Sequence, residues 1–298
     1  MAATALKRTS TRPPAAPAQR AQARAACYLN LAQCLRPPHD PALVAAMGSD
    51  LVPDLREALV TLGDPPELRE SVRRLEQALA EPGAGDRLLR DYTWLFLTPP
   101  YRVDLNAGLY LDGALMGPSV QQLVQLYRRH GVEKGSAFHD LPDHIALLLE
   151  FSAMLWAKAA ESLQGGDRTQ AESMLRDQAW LLARHYLGWM STLATRIDAV
   201  GEGRTGATVY AGLTALVTAI AELEFADIRH LLAAEDTGPT PQAMVRQELP
   251  PVPPRQAVCG GCGEPFTLQG ERAAIHARLE EAGLDASHVA ICKRCGTG

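Results

Sequence analysis

Aromatic residues are scarce in this chain. They make up 5% of its 298 residues, although 47% of the residues are hydrophobic, and alanine and leucine dominate that apolar content. Alanine and leucine are strong helix formers, whereas strands are enriched in aromatic and β-branched residues, so the composition favours helix over sheet. No convincing run of alternating apolar and polar residues occurs before about residue 235. The sequence therefore predicts an all-α main body that is long enough for a large core.

The chain also lacks the signals of several functional classes. No apolar run reaches the roughly 18 residues of a membrane span, and Met1–Gln22 lacks the apolar block of a secretory signal. The net charge of -5 gives no bias toward nucleic acid. There is no glycine-rich phosphate loop, and no nucleophile with a spaced partner stands out. We therefore predict a cytoplasmic protein that is not an enzyme, binds no nucleic acid and is not stably inserted in a membrane.

Prolines and glycines divide the sequence into segments. We predict a disordered N-terminal segment (residues 1–22), an all-helical domain (23–235), a proline-rich linker (236–256) and a small metal-stabilised module (257–298). Periodicity and helix-breaking residues predict helices near residues 23–36, 41–48, 53–62, 67–80, 86–98, 118–131, 144–163, 167–200 and 208–234. Residues 101–117, with glycines at 108, 113 and 117, are predicted to form an ordered loop.

Four cysteines near the C-terminus form two CxxC pairs, each followed by glycine: Cys259, Cys262, Cys292 and Cys295. The two-residue gap lets both sulfurs of a pair reach one ion, and glycine lets the turn close around it. A module of this size builds little core, so a metal would supply much of its stability. We predict a closed, zinc-ribbon-like structural zinc site. An iron–sulfur cluster uses the same ligands and stays open as the alternative.

Two titratable residues, Asp143 and His144, follow Pro142 directly before a long apolar segment. Proline costs little in the first turn of a helix, and the positive end of the helix dipole favours an acidic side chain there. This pattern predicts that Asp143 and His144 lie at a helix start and face solvent or a ligand. Helix capping by Asp143, with His144 on a solvated face, is the structural alternative. An acid–base pair is disfavoured because adjacent helical residues do not face each other.

The order of motifs resembles the TorD/DmsD/NarJ family of redox-enzyme maturation chaperones. The resemblance covers about residues 23–235, and the residues that carry it lie at 91–96, 99–101, 108–112, 142–147 and 150–151. It implies an all-helical cytoplasmic chaperone that binds the immature catalytic subunit of a molybdenum-cofactor oxidoreductase. It also implies recognition of the twin-arginine signal peptide, which is held back from export until the cofactor is inserted. Leu148 stands where the family usually has an acidic residue.

The resemblance also implies a set of partner-binding residues. Carboxylates could pair with the arginines of a signal peptide, and aromatic side chains could line a groove for its apolar part. The expected residues are Asp143, His144, Pro142, Glu150, Trp94, Phe96, Pro100, Tyr101, Tyr110 and Asp112. Trp94 is equally suited to a core position.

Several alternatives remain at this stage. For the cysteine module, a contact with the client, a contact in a homodimer and a metal or redox sensor are all open, and we favour the client contact. The alternative functions are a zinc-ribbon adaptor that binds nucleic acid or another protein and, ranked below it, a metal-dependent enzyme. The module carries five acidic and four basic residues and has no basic stripe, which disfavours nucleic acid.

Overall fold

The computed structural model describes residues 15–38, 41–81, 83–98, 103–133, 135, 140–233 and 254–269, with 273, 276–277, 286–287, 290–292 and 294–295. The chain divides into two compact units, Met1–Pro239 and Thr240–Gly298. The first contains the helical domain, and the second contains the two CxxC pairs. The described part of the predicted N-terminal segment is helical from residue 17, and its first 14 residues lie outside the described residues.

The first unit is built from α-helices. They are α1 (Pro17–Cys34), α2 (Pro41–Ser49), α3 (Leu51–Thr61), α4 (Pro66–Leu79), α5 (Ala84–Tyr92), α6 (Ala107–Leu111), α7 (Pro118–Arg129), α8 (Ile145–Gln164), α9 (Arg168–His185), α10 (Met190–Val200) and α11 (Thr205–Ala233). A π-helical turn, Thr93–Leu97, continues α5. The predicted all-α fold class is confirmed for the described residues.

Local sequence signals account for several helix starts. Proline occupies the first turn of α1, α4 and α7, where a missing backbone donor costs nothing. The side chain of Asp167 accepts a 3.0 Å hydrogen bond from the N–H of Gln170 and so caps α9, as its position before the helix predicts.

Two predictions for the helices are wrong. The segment predicted as a single helix from 167 to 200 is broken at residues 186–189, because the chain turns there to bury Tyr186 and Trp189 completely. The indole of Trp189 donates a 2.7 Å hydrogen bond to the carbonyl of His185, which fixes the break. The segment predicted as a loop contains α6. The break depends on burial of Tyr186 and Trp189 in the core, and the start of α6 is hydrogen-bonded to the distant Asp143, so neither feature has a strong local signal.

Two apolar helices form the centre of the first unit. Helix α8 packs against α1 and α9, and α11 packs against α4, α5, α9 and α10. By length and composition α11 is apolar enough to cross a membrane over Thr205–Leu232, but 56% of its apolar 18-residue window is buried inside the unit. We interpret α11 as a core helix on that basis.

A buried carboxylate links four of these helices. Glu224 of α11 accepts hydrogen bonds from the indole N–H of Trp156 in α8 (2.9 Å) and from the amide of Gln178 in α9 (2.7 Å). Arg24 of α1 lies 3.8 Å from the other carboxylate oxygen. Burial raises the pKa of Glu224, and Arg24 opposes that effect. Since an unpaired buried charge is costly, these contacts tie the relative positions of the helices to one another.

The second unit contains a two-stranded antiparallel sheet, β1 (Arg255–Val258) and β2 (Pro265–Leu268), in which Arg255 pairs with Leu268. Strand β1 begins at Arg255, inside the segment predicted as linker. Among the described residues of this unit, the apolar cluster is small and consists of Ala257, Leu268, Ala273 and Ala290 with Phe266 against it. Such a core offers little stability by itself, which makes the cysteine cluster important for this unit.

Candidate functional site

The Pro-Asp-His segment is joined to the start of α6 by backbone pairing. Asn106 and His144 form an isolated antiparallel bridge. The N–H of Ala107 donates to the carbonyl of Asp143 (3.1 Å), and the N–H of Ile145 donates to the carbonyl of Leu105 (2.9 Å). Two segments that are far apart in the sequence therefore meet at the N-termini of α6 and α8.

The carboxylate of Asp143 is directed into this junction rather than into solvent. Its side chain is buried, at 0% exposure. Oδ2 accepts a 2.7 Å hydrogen bond from the N–H of Gly108, and Oδ1 lies 3.4 Å from the amide nitrogen of Asn106. Burial raises the pKa of Asp143, although the Gly108 N–H favours the ionised form. The prediction that Asp143 faces solvent is wrong, because its oxygens satisfy the N-terminus of α6.

His144, and not Asp143, is the N-cap of α8. Its Nδ1 accepts a 3.2 Å hydrogen bond from the N–H of Ala146, and its Nε2 lies 3.9 Å from the carboxylate of Asp140. Burial lowers the pKa of His144 to about 4, against the opposing charge of Asp140. The side chain is buried, so the structural alternative, in which Asp143 caps the helix and His144 lies on a solvated face, is wrong as well.

Three other residues expected to bind a partner have structural contacts here. The carbonyl of Pro142 accepts a 3.1 Å hydrogen bond from the hydroxyl of Tyr127. Asp112 accepts hydrogen bonds from the N–H (2.9 Å) and the hydroxyl (2.6 Å) of Ser119 and so holds the first turn of α7. Glu150 is partly exposed and forms a 3.0 Å ion pair with Arg36.

The expected aromatic residues lie in two separate places. Phe96 is buried in an edge-to-face cluster with Tyr92 and Tyr210, at ring distances of 4.9 and 5.6 Å. Tyr110 is half-buried and packs on Trp189, with ring centroids 4.9 Å apart. Its hydroxyl donates a 2.9 Å hydrogen bond to the carbonyl of residue 104. Phe96 is thus a core residue, whereas Tyr110 retains an accessible surface.

A further carboxylate, Asp91, was not expected from sequence to hold the start of α11. It is buried and accepts a 2.9 Å hydrogen bond from the N–H of Gly206, and its other oxygen forms a 2.8 Å ion pair with Arg204. The guanidinium of Arg204 lies 4.0 Å over the ring of Trp94. A Cβ on Gly206 would lie 2.6 Å from the Cβ of Asp91, so this contact requires glycine. In the sequence, this contact is indicated only by the run of glycines around the start of α11.

The two remaining expected residues, Pro100 and Tyr101, lie outside the described residues.

The structure brings the four predicted metal ligands together. The sulfur atoms of Cys259, Cys262, Cys292 and Cys295 all lie within 4.8 Å of one another, and those of Cys262 and Cys292 are 3.8 Å apart. This arrangement of four convergent thiols fits a single metal ion.

Backbone donors surround one of these sulfurs. The N–H groups of Cys292 and Gly261 lie 3.3 and 3.4 Å from the sulfur of Cys259. Backbone N–H groups, that of Cys292 above all, lower the pKa of the Cys259 thiol to about 6. Because metals bind the thiolate, donors that stabilise the negative sulfur suit a metal ligand.

Comparisons with known proteins agree on one family. Residues 62–195 match the family model described as nitrate reductase delta subunit. Chaperone protein TorD of Vibrio cholerae serotype O1 is 31% identical over 157 residues, which cover 50% of this chain and 70% of the relative. Chaperone protein TorD of Vibrio vulnificus is 28% identical over 150 residues, or 48% of this chain and 68% of the relative.

One solved structure is also similar. It is the crystal structure of a protein described as a candidate redox enzyme maturation protein from Archaeoglobus fulgidus. It has 14% sequence identity and a TM-score of 0.35, and the match covers 74% of this chain and 99% of that one.

Proposed function

The chain belongs to the TorD family of redox-enzyme maturation chaperones, and we propose that its client is the immature catalytic subunit of a molybdenum-cofactor oxidoreductase. The observation that carries this proposal is the similarity to the Vibrio cholerae chaperone over 70% of that protein's length. The chaperone binds the client in the cytoplasm, before the molybdopterin cofactor is inserted and before export. It acts by binding and catalyses no reaction.

We further propose that the chaperone recognises the twin-arginine signal peptide of its client. Such a peptide presents arginines followed by an apolar helix. Within the described members of the expected partner-binding set, the residues with accessible surface are Glu150, Trp94, Tyr110, Pro142 and Asp112. Glu150 could exchange its ion pair with Arg36 for an arginine in the body of the client, since a bidentate carboxylate–guanidinium pair is the strongest such contact.

The buried members of that set, together with the partly exposed Asp112, support binding indirectly. Asp143 and His144 hold the starts of α6 and α8, Asp112 holds α7, and Phe96 packs under α5 and α11. They are positioning residues in this proposal. Pro100 and Tyr101 keep their predicted role as partner contacts.

The cysteine module is proposed to hold zinc. A tetrahedral ion with metal–sulfur bonds of about 2.3 Å places its sulfurs about 3.8 Å apart. The separation of 3.8 Å between Cys262 and Cys292, and the 4.8 Å limit for all four sulfurs, support one ion rather than a larger iron–sulfur cluster. Closed four-cysteine sites are most often structural zinc sites.

We also propose that this module is a second contact for the client. The sequence motivation is the proline-rich segment before it, which allows reach to a partner. A Cys262→Ser variant should reduce maturation of the client in cells, whereas unchanged maturation after complete loss of the metal would contradict a client contact.

Capture of the client from native cytoplasm tests the main function. The full-length chain should retain a molybdoenzyme catalytic subunit, identified by mass spectrometry, and should bind the purified cofactor-free subunit more tightly than the mature enzyme. Glu150→Lys should weaken binding, whereas the reversal Asp198→Lys, at an exposed position of α10, is the matched control. No association with the cofactor-free subunit at low ionic strength would refute the proposal.

A further inference from the structure

An open groove of about 1430 Å³ lies between α1 and α3. Its lining residues recur at intervals of three and four along both helices. They include Ala23, Ala26 and Leu29 on α1 and Asp54, Glu57 and Val60 on or beside the facing side of α3. The two walls are therefore helix faces, and a third helix is the element that packs between two such faces. The groove shares no residue with the expected partner-binding set.

The apolar part of the groove is accessible. Leu29 is 46% exposed and Val60 is 52% exposed, although both are large apolar side chains. Ala23 and Ala26 lie between the ends of the groove and are small enough to let another backbone approach closely. Exposed apolar side chains that converge in a groove are typical of a protein-binding surface.

Among the residues that line the groove, the positive charges are already paired with carboxylates. Its two arginines already have carboxylate partners, because Arg20 lies 3.7 Å from Asp227 and Arg69 lies 2.6 Å from Asp64.

The two remaining carboxylates, on Asp54 and Glu57, lie one turn apart on α3. Asp54 lies 3.5 Å from the side-chain amide of Asn30. The carboxylate of Glu57 has no hydrogen bond or ion pair with any other residue that the structure describes, whereas its backbone carbonyl accepts a 3.2 Å hydrogen bond from the hydroxyl of Thr61. A segment that is apolar and also carries arginine or lysine would complement this surface.

We propose that this groove binds the leader of the client, with its apolar helix between α1 and α3 and its arginines at Asp54 and Glu57. The inference rests on the function proposed above and adds the place where the leader binds. The wall formed by α3 is 11 residues long, so roughly three turns of a bound helix can lie along it. The expected partner-binding residues then remain for the body of the client.

The test is a titration of the full-length chain against a fluorescent synthetic peptide that has two arginines followed by an apolar helix-forming run. Val60→Glu should weaken binding by about tenfold or more, since it places a charge on the apolar floor. Glu57→Lys should weaken binding by about threefold to tenfold and flatten its salt dependence. Leu231→Glu and Glu222→Lys, at exposed positions of α11, are the matched controls and should leave the affinity unchanged.

The outcomes separate the groove from the function. Equal affinity of wild type and both groove variants for the peptide overturns the groove and leaves the chaperone function intact. If the wild-type chain does not bind the peptide but still binds the cofactor-free subunit, the groove is likewise overturned and the chaperone function is left intact. Failure to bind either refutes the proposed function as well. A change in oligomeric state in the groove variants, measured by light scattering, would assign the groove to a second copy of this chain and overturn the inference.

Discussion

The backbone N–H of Gly108 donates a 2.7 Å hydrogen bond to Oδ2 of Asp143, and both groups are buried. This contact joins the glycine-containing segment 101–117 to the Pro-Asp-His segment. It occupies the carboxylate that the sequence predicts to be available to a partner. The position of α6 therefore depends on Asp143, and any effect of this residue on client binding passes through the fold.

Asp143→Ala should lower the free energy of unfolding by about 1–3 kcal/mol, because it leaves the buried N–H of Gly108 without an acceptor. Urea denaturation followed by circular dichroism measures the change. Asp198→Ala, at an exposed position of α10, is the control and should change stability by less than about 0.5 kcal/mol. A stability loss no larger than that of the control would contradict the structural role of Asp143.

Replacement of two glycines of α11 by alanine should change the stability of the protein in opposite directions. Gly206→Ala should destabilise the protein by about 1–3 kcal/mol, because a Cβ there lies 2.7 Å from Oδ2 of Asp91 and displaces the carboxylate from its donor. Gly212→Ala should stabilise it by up to about 1 kcal/mol, since the nearest atom to a Cβ there is 3.8 Å away and alanine favours helix. Thermal unfolding of the two variants gives the comparison, and equal signs would show that the Asp91 contact is unimportant.

Acid should destabilise the helical unit through His185. Burial lowers the pKa of this histidine to about 3, with a smaller effect of Arg184, against an ordinary value of 6.5 in the unfolded chain. Between these two pH values the unfolded chain binds the proton and the folded chain does not. The stabilising contribution is therefore complete above pH 6.5 and declines as the pH falls, by at most about 1.4 kcal/mol per pH unit.

The variant His185→Phe isolates this effect. Neither ring nitrogen of His185 forms a hydrogen bond with a described residue, so an apolar ring should be tolerated at neutral pH. The difference in unfolding free energy between variant and wild type should grow in favour of the variant from pH 6.5 downward. His230→Phe, at an exposed position of α11, serves as control, and a difference that is independent of pH would count against the buried neutral histidine.

Removal of one thiol should abolish metal binding by the second unit. Cys262→Ser leaves three thiolates and an open coordination position, and the small core of this unit does not compensate for loss of the metal. Elemental analysis and the visible absorption spectrum measure content and identity, with zinc colourless and an iron–sulfur cluster coloured. Thr267→Ala in β2 retains all four thiols and should keep the metal. Wild-type protein without bound metal after expression in metal-supplied medium would contradict the site.

Features that depend on neighbouring residues were predictable. Apolar periodicity and proline positions located most helices, and Asp167 was identified as a cap because a helix start requires an acceptor close in sequence. The spacing within each CxxC pair predicted convergent sulfurs, since a two-residue gap allows few other uses. The helix boundaries are predicted less accurately, since α1 begins at Pro17 rather than at Ala23.

What the sequence determined by itself is the helical class, the approximate helix positions, the cysteine cluster and the family. The tertiary structure decided which donor each carboxylate meets: Asp143 binds Gly108, Asp91 binds Gly206, and Asp112 binds Ser119. It also decided the break before Trp189 and the groove between α1 and α3. The physical reason is that periodicity, capping and chelation act over a few residues of chain. Burial and hydrogen-bond satisfaction instead depend on which distant segments come into contact when the helices pack.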